Sequence, residues 1–388
     1  MKKGFLLTLC FLACTGLLRS QVQAVPVFVS GTEGYRVFRI PAIIQLADGA
    51  LLAFAEGRVT GGADFGDIDI VLKKSRDKGR TWSALQKVTD NDTLQSGNPA
   101  PVVDLTDPRY PQGRIFLFYN TGNVTENDIR KGKGYKQVWY VTSVDGGSSW
   151  SAPVDITLQV HRPYKPAVNP AYDYKEDWRC YANTPGHAEQ FQQGTYKGRI
   201  YIAANHSAGS PQADAGDYRA HGFYTDDHGE SFHLSEVVNL PGSNEASATA
   251  LPGDRLMLNI RNQKADQRSR IVALSSNGGQ RWDTVYFDKQ LPDPVCEGSI
   301  LNLNPRSKKT VLAFSNNASE KRRDSLTLRI SFDEGKTWPR YWLVEAGTAG
   351  KKGDATAYSD IVSVNKRELG VLYERDNYSM ISFRLLRW

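Results

Sequence analysis

Runs of β-branched and aromatic residues recur along the chain at residues 68–72, 138–142, 222–224, 271–274 and 326–330. Their length and composition predict short strands. Each run is followed at once by a polar octapeptide. The first is Ser75-Arg76-Asp77-Lys78-Gly79-Arg80-Thr81-Trp82, and it returns at 143–150, 225–232, 275–282 and 331–338. The pattern is S-x-D-x-G-x-[ST]-W. Three copies fit it fully; those at 225–232 and 275–282 carry substitutions. Asp or Asn bonds nearby backbone N–H groups, Gly accepts positive φ, and Trp packs against strands. Each unit therefore reads as a strand, a hairpin turn and an aromatic peg. Asp77 and Asp333, inside the turns, read as turn formers rather than as chemistry.

The copies start 68, 82, 50 and 56 residues apart. A four-stranded propeller blade with its loops takes roughly 40–50 residues or more. Six blades over residues 25–388, with long loops, account for the length. The expected fold is all-β, a six-bladed β-propeller of four-stranded antiparallel blades. Such irregular spacing argues against a solenoid, and no linker marks a second domain.

The N-terminus changes the arithmetic. Lys2 and Lys3 precede an apolar run to Leu18, and Val22-Gln23-Ala24 ends in a small residue. This is the pattern of a cleaved secretory signal over residues 1–24, and it predicts a secreted or periplasmic protein. Phe11-Leu12-Ala13-Cys14 resembles a lipoprotein cleavage box, so Cys14 is an alternative point of processing, with a lipid anchor at the outer surface. No later segment is apolar enough to span a membrane. Removing the leader takes the net charge from +6 to +3. That mild charge does not call for nucleic acid. Only Cys180 and Cys296 remain, as one disulfide or two buried thiols. The monomer is the favoured state.

Phe38-Arg39-Ile40-Pro41 places a guanidinium in a strand-like run whose end or edge Pro41 marks. Alone, Arg39 reads as a structural ion-pair residue. Together with five boxes, this tetrapeptide resembles the exported bacterial exo-α-sialidases over nearly the whole mature chain. The resemblance implies three arginines that clamp a substrate carboxylate. They match Arg39, Arg261, which lies sixteen positions after Glu245, and Arg323, eight positions before Ser331. Arg322 and Arg329 are neighbours of Arg323, so that choice rests on register. It implies an acid/base at Asp64 in the loop Gly61-Gly62-Ala63-Asp64, with Asp67 and Asp69 close behind. It implies a nucleophile at Tyr358, ahead of the Tyr373-Glu374 pair, with Glu245 as its base. Arg58 matches an arginine on the C4 side of the sugar, and Asn98 stands where relatives often carry Asp near the N-acyl group.

The implied activity is retaining hydrolysis of terminal α-linked sialic acids on glycoproteins, glycolipids and oligosaccharides. Sialylated glycans are then the partners; no cofactor and no metal are expected, since the six His show no ligand spacing. Transfer to another hydroxyl, within or between molecules, would use the same residues. A non-catalytic glycan-binding propeller is the reading from another class.

Overall fold

The computed structural model describes residues 23–347 and 354–388. The leader expectation, Cys14 included, falls almost wholly on residues outside these. Regular structure in the described residues is nearly all strand; its two α-helices are Glu126–Arg130 and Thr157–Val160. Among the described residues no helix is long and apolar enough to cross a membrane.

The strands form six consecutive antiparallel units. Blade I is Val37–Gln45, Leu51–Arg58, Ile68–Ser75 and Gln86–Thr89. Blade II is Gln95–Asp104, Arg114–Gly122, Lys136–Ser143 and Val154–Asp155. Blade III is Trp178–Asn183, Ile200–Ala208, Tyr218–Thr225 and His233–Leu234, with Glu189–Gln190 added on the second strand. Blade IV is Ser243–Leu251, Arg255–Asn262, Ser269–Ser275 and Thr284–Pro292. Blade V is Ser299–Asn302, Leu312–Asn317, Leu326–Ser331 and Arg340–Glu345. Blade VI is Thr356–Asn365, Glu368–Arg375 and Met380–Arg387, completed by the N-terminal strand Val25–Val29. By hydrogen bonding these are five sheets, because one parallel bridge, Ile68 to Gln95, joins blades I and II into eight strands.

Apolar packing closes the ring. Six core clusters each span two neighbouring blades. Phe54 and Leu52 of blade I meet Leu117 of blade II, and Phe118 of blade II meets Phe223 of blade III. Tyr201 of III meets Leu258 of IV, and Met257 of IV meets Phe314 of V. Leu328 of V meets Val371 of VI, and Phe383 of VI meets Phe38 of I. Burying such side chains contributes about 1.5–3 kcal/mol each. Nearer the axis the blades are tied by polar contacts. Asp360 of blade VI accepts from Ile43 N of blade I (2.8 Å) and Ser299 Oγ of blade V (2.7 Å). Ser247 Oγ of blade IV accepts from Ile300 N of blade V (3.1 Å).

The octapeptides join the third and fourth strands of blades I to V. In each, the Ser or Thr oxygen accepts from the glycine N–H at 2.8–2.9 Å. Asp77 accepts from Thr81 N (2.9 Å), Arg80 N (3.0 Å) and Thr81 Oγ1 (2.7 Å). Those bonds pull its pKa down to about 2. The peg does more than pack between strands: it wedges against the preceding blade. Trp82 meets Phe383 of blade VI edge-on at 5.5 Å, and Trp150 meets Phe54 of blade I at 6.1 Å. Gly79 needs no side chain for two reasons. Its φ is +82°, and a Cβ there would lie 2.1 Å from Phe383.

Candidate active site

The site lies at one end of the axis, where the inner strands begin. Five of those strands are bulged there; the break in blade III lies between Trp178 and Tyr181, and the other four border residues expected from the sequence. Pairing slips between Arg39 and Ala42, Gly97 and Ala100, Ser243 and Ala246, and Thr356 and Ser359. Those breaks flank Arg39, Asn98, Glu245 and Tyr358. A bulge inserts a residue and re-aims its neighbours. Two of these positions also carry left-handed backbone, Ile40 at φ +55° and Asn98 at +57°. For β-branched Ile40 that conformation is strained, and its N–H is held by Glu374 Oε1 at 2.9 Å. Pro41 therefore does not end the strand; it sits at a bulge inside it, where its missing N–H costs no ladder bond.

The residues converge on a cavity of about 310 Å³, lined by Arg39, Arg58, Asp64, Asn98, Glu245, Arg261, Arg323 and Tyr358 among others. Tyr358 Oη donates to Glu245 Oε1 at 2.6 Å. Arg261 Nη1 donates to both that phenol oxygen (2.8 Å) and Glu245 Oε2 (2.6 Å). Burial, then the Glu245 carboxylate, pushes the Tyr358 pKa well up, although Arg261 and Arg323 oppose it. At neutral pH the phenol keeps its proton, and its hydrogen-bond acceptor is a carboxylate. That is the arrangement for a nucleophile deprotonated as it attacks.

Three guanidiniums in one site repel unless each has a counter-charge. The fold supplies them. Arg39 Nε pairs with Glu374 at 2.6 Å, Arg261 with Glu245, and Arg323 with Asp354 at 3.8 Å. Arg39 and Arg323 also flank the Tyr358 ring, at 5.5 and 5.9 Å from its centroid. Arg323 is further held by Val295 O (3.0 Å) and Tyr378 Oη (3.3 Å). Arg322, by contrast, is exposed and pairs with Asp324 at 2.8 Å.

Asp64 stands in the mouth of the cavity, its side chain 75% exposed. Desolvation by its surroundings acts to raise its pKa. The Arg58 guanidinium at 2.8 Å, with Arg39 behind it, outweighs this and holds the carboxyl below its usual range. Arg58 itself is buried between Glu56, at 2.6 and 2.9 Å, and Gly62 O. Asp67 and Asp69 lie elsewhere: neither lines the cavity, and Asp69 is buried, accepting from Tyr35 Oη at 2.6 Å. Asn98 donates its N–H to Glu56 (2.8 Å) and its amide to Asn183 O (3.3 Å).

Sequence reasoning missed two groups. Glu374, fully buried, accepts from Arg39, Ile40 N and Tyr358 N (3.1 Å), and so positions two site residues at once. It had served only as a marker after Tyr358. Glu297 accepts from Ser359 N at 2.9 Å behind the nucleophile, and burial pushes its pKa well up, although the Ser359 bond and Arg270 oppose it. Nothing in its local sequence signals that. Cys180, in the cavity wall, and Cys296 are both buried free thiols. The one group of three metal-type ligands found among the described residues is Asp104, Asp107 and His228. Arg109 and Arg114 already pair with Asp107 at 3.0 and 3.3 Å.

Box-bearing blades thus surround a pocket of arginines, acids and buried tyrosines. The chain belongs to the BNR repeat-like domain family, whose profile matches residues 49–371. It is 31% identical over 371 residues to a sialidase of Micromonospora viridifaciens, covering 89% of this chain and 51% of that protein. It is 27% identical over 402 residues to an exo-alpha-sialidase of Aspergillus fumigatus, covering 96% of this chain and 88% of that one. The solved structure of Hadza microbial sialidase Hz136 superposes with a TM-score of 0.75 at 22% identity, over 94% of this chain and 68% of that chain. The chain thus spans about half the length of the Micromonospora relative and most of the Aspergillus one. The family the motifs resemble is the family found.

Proposed function

We propose that the protein is an exo-α-sialidase, a retaining glycoside hydrolase that releases terminal α-linked sialic acid from glycans. The observation that carries this reading is the Tyr358–Glu245–Arg261 triangle, with hydrogen bonds of 2.6–2.8 Å, in a cavity rimmed by Arg39 and Arg323. A sialic acid bears its carboxylate on the anomeric carbon. A carboxylate nucleophile would meet a like charge, a repulsion of roughly 4 kcal/mol at 4 Å and an effective dielectric near 20. A neutral phenol avoids most of it, and tyrosine nucleophiles are a recognised exception to the two-carboxylate scheme.

Arg39, Arg261 and Arg323 grip the carboxylate; arginine suits this because it stays charged and binds with paired N–H groups. Arg58 and Asn98 border the sugar. Asp64 gives a proton to the leaving oxygen. Because Arg58 favours its ionised form, the Asp64–Arg58 pair has to loosen as the substrate docks. Tyr358 attacks C2 as its proton passes to Glu245, forming a tyrosyl–sugar bond. Asp64, now ionised, takes a proton from water as it attacks C2; the C2–Oη bond breaks and Tyr358 recovers its proton from Glu245, with configuration retained. The cavity is at the small end of ligand pockets, which suits one terminal sugar. Exported sialylated glycoconjugates, and a secreted or periplasmic enzyme, fit the leader expected at the N-terminus.

The test follows cleavage of a fluorogenic α-sialoside, with the first product identified by NMR. Early release of the α-anomer supports retaining hydrolysis. A 2,7-anhydro sugar or a sialylated acceptor moves the reading to transfer. Binding of the sugar without cleavage removes the enzymatic reading.

A further inference from the structure

The cavity has a second wall that the steps above leave unused. It faces blades II and III and contains Gln95, Glu126, Lys136, Cys180, Ala182 and Asn205. Lys136 is the unusual member. It is 7% exposed and makes no ion pair with any described carboxylate. Its ammonium donates to the side-chain oxygen of Gln95, a neutral group that is itself buried. The nearby acid, Glu126, accepts from Tyr218 Oη instead. A buried ammonium has three protons to place. Burial without full pairing is costly, so lysine is seldom buried unless something pairs with it.

The ring chemistry of the proposed substrate says what reaches this wall, and the inference rests on that reading. The carboxylate of a sialic acid sits on C2. Across the six-membered ring from C2 is C5, which carries the variable substituent. Arg39, Arg261 and Arg323 belong to blades I, IV and V. With the carboxylate there, the C5 substituent projects to the opposite wall, where Lys136 stands.

The structure assigns Lys136, braced by Gln95, as a specificity residue that favours a C5 substituent ending in a hydroxyl over one ending in a methyl. A glycolylamide hydroxyl accepts from the ammonium. An acetamide methyl in the same place removes water from Lys136 and Gln95 and returns no hydrogen bond. Sites that hydrogen-bond a substrate group discriminate against the analogue lacking it more sharply than apolar pockets do.

Wild-type protein, Lys136→Met and Gln95→Met are to be assayed on paired aryl α-glycosides of N-glycolyl and N-acetyl neuraminic acid, with melting curves to show that each variant is folded. The wild type is expected to favour the glycolyl sugar in kcat/KM by about tenfold. Lys136→Met is expected to bring that ratio to one or below, mainly through a higher KM for the glycolyl sugar, and Gln95→Met to lower it in the same direction. A wild type that favours the acetyl sugar, or a ratio unmoved by either folded variant, overturns the assignment. A wild type that cleaves neither sugar defeats the sialidase reading itself, a separate failure.

Discussion

The box turns at the edge of the ring and the cavity on its axis use the same acid in opposite ways. Asp77 and Asp145 are saturated by hydrogen bonds from their own turns, and their carboxylates have nothing left to offer. Asp64 is held by one guanidinium and is otherwise open to solvent. The boxes repeat five times with nearly the same bonds. At the axis the side chains differ from blade to blade: blade I contributes Arg39, blade IV Glu245 with Arg261, blade V Arg323 and blade VI Tyr358. Repetition here carries stability, and chemistry sits where the repeat is broken by bulges.

That contrast is broken most severely if one change affects both regions. Tyr358→Phe is expected to lower kcat by about 10³-fold or more while the melting temperature stays within a degree or two. Kinetics and calorimetry on the same preparation check both halves. Near-native turnover would take Tyr358 out of its role. Asp64→Asn is expected to cost about 10²-fold on a glycan with a poor leaving group, and less on an activated aryl sialoside that needs no proton. Arg58→Met sharpens this point. Removing the cation raises the Asp64 pKa, so the alkaline limb of kcat/KM moves to higher pH. A limb that stays in place would mean that Arg58 does not set the Asp64 proton.

At the rim the order reverses. Asp145→Ala is expected to cost about 1 kcal/mol of stability by removing the bonds that fix the turn at Ser148 N and Ser149 N, with kcat unchanged. An effect that is absent at neutral pH lies behind the cavity wall. His161 is fully buried, packs 4.7 Å from the Tyr181 ring, and neither ring nitrogen has a described partner. Burial, with His221 and Arg162 nearby, holds its pKa well below the ordinary value, so protonation favours the unfolded chain. Its contribution is complete above about pH 6.5 and is lost progressively as the pH falls. His161→Phe is expected to flatten the fall of stability below pH 6 by about one proton's slope, ~1.4 kcal/mol per pH unit. Parallel curves for both proteins would assign acid lability to other groups, such as His206 and His221.

The ring and its turns were legible because a turn is local. The Ser, Asp and Gly that make it lie within five positions, so the sequence displays the whole mechanism. Arg39, Glu245 and Tyr358 were reached through motifs, which say what a residue is but not what holds it. Their support is distant. Glu374 reaches Arg39 across 335 positions, and Tyr358 reaches Glu245 across 113. The bulges that aim them leave little signature beyond Pro41 and Pro99, and Pro41 reads as a strand end. The aromatic pegs read only as rings packed against strands. Their real partners, such as Phe383 for Trp82, lie on another blade, and local spacing cannot show that.

Blade VI takes its fourth strand, Val25–Val29, from the opposite end of the described chain, in register with residues 380–383. During synthesis that strand is made about 350 residues ahead of its partner, and it waits until residues 380–383 follow. Until then the Phe38 face of blade I lacks Phe383, and the ring stays an open arc with an unpaired edge. A nascent chain in that state is a target for holding chaperones and for pairing with a second copy. Loss of a few residues after 380 would therefore leave the whole ring unclosed and the arginine trio without a rigid frame, even though every site residue had already been made.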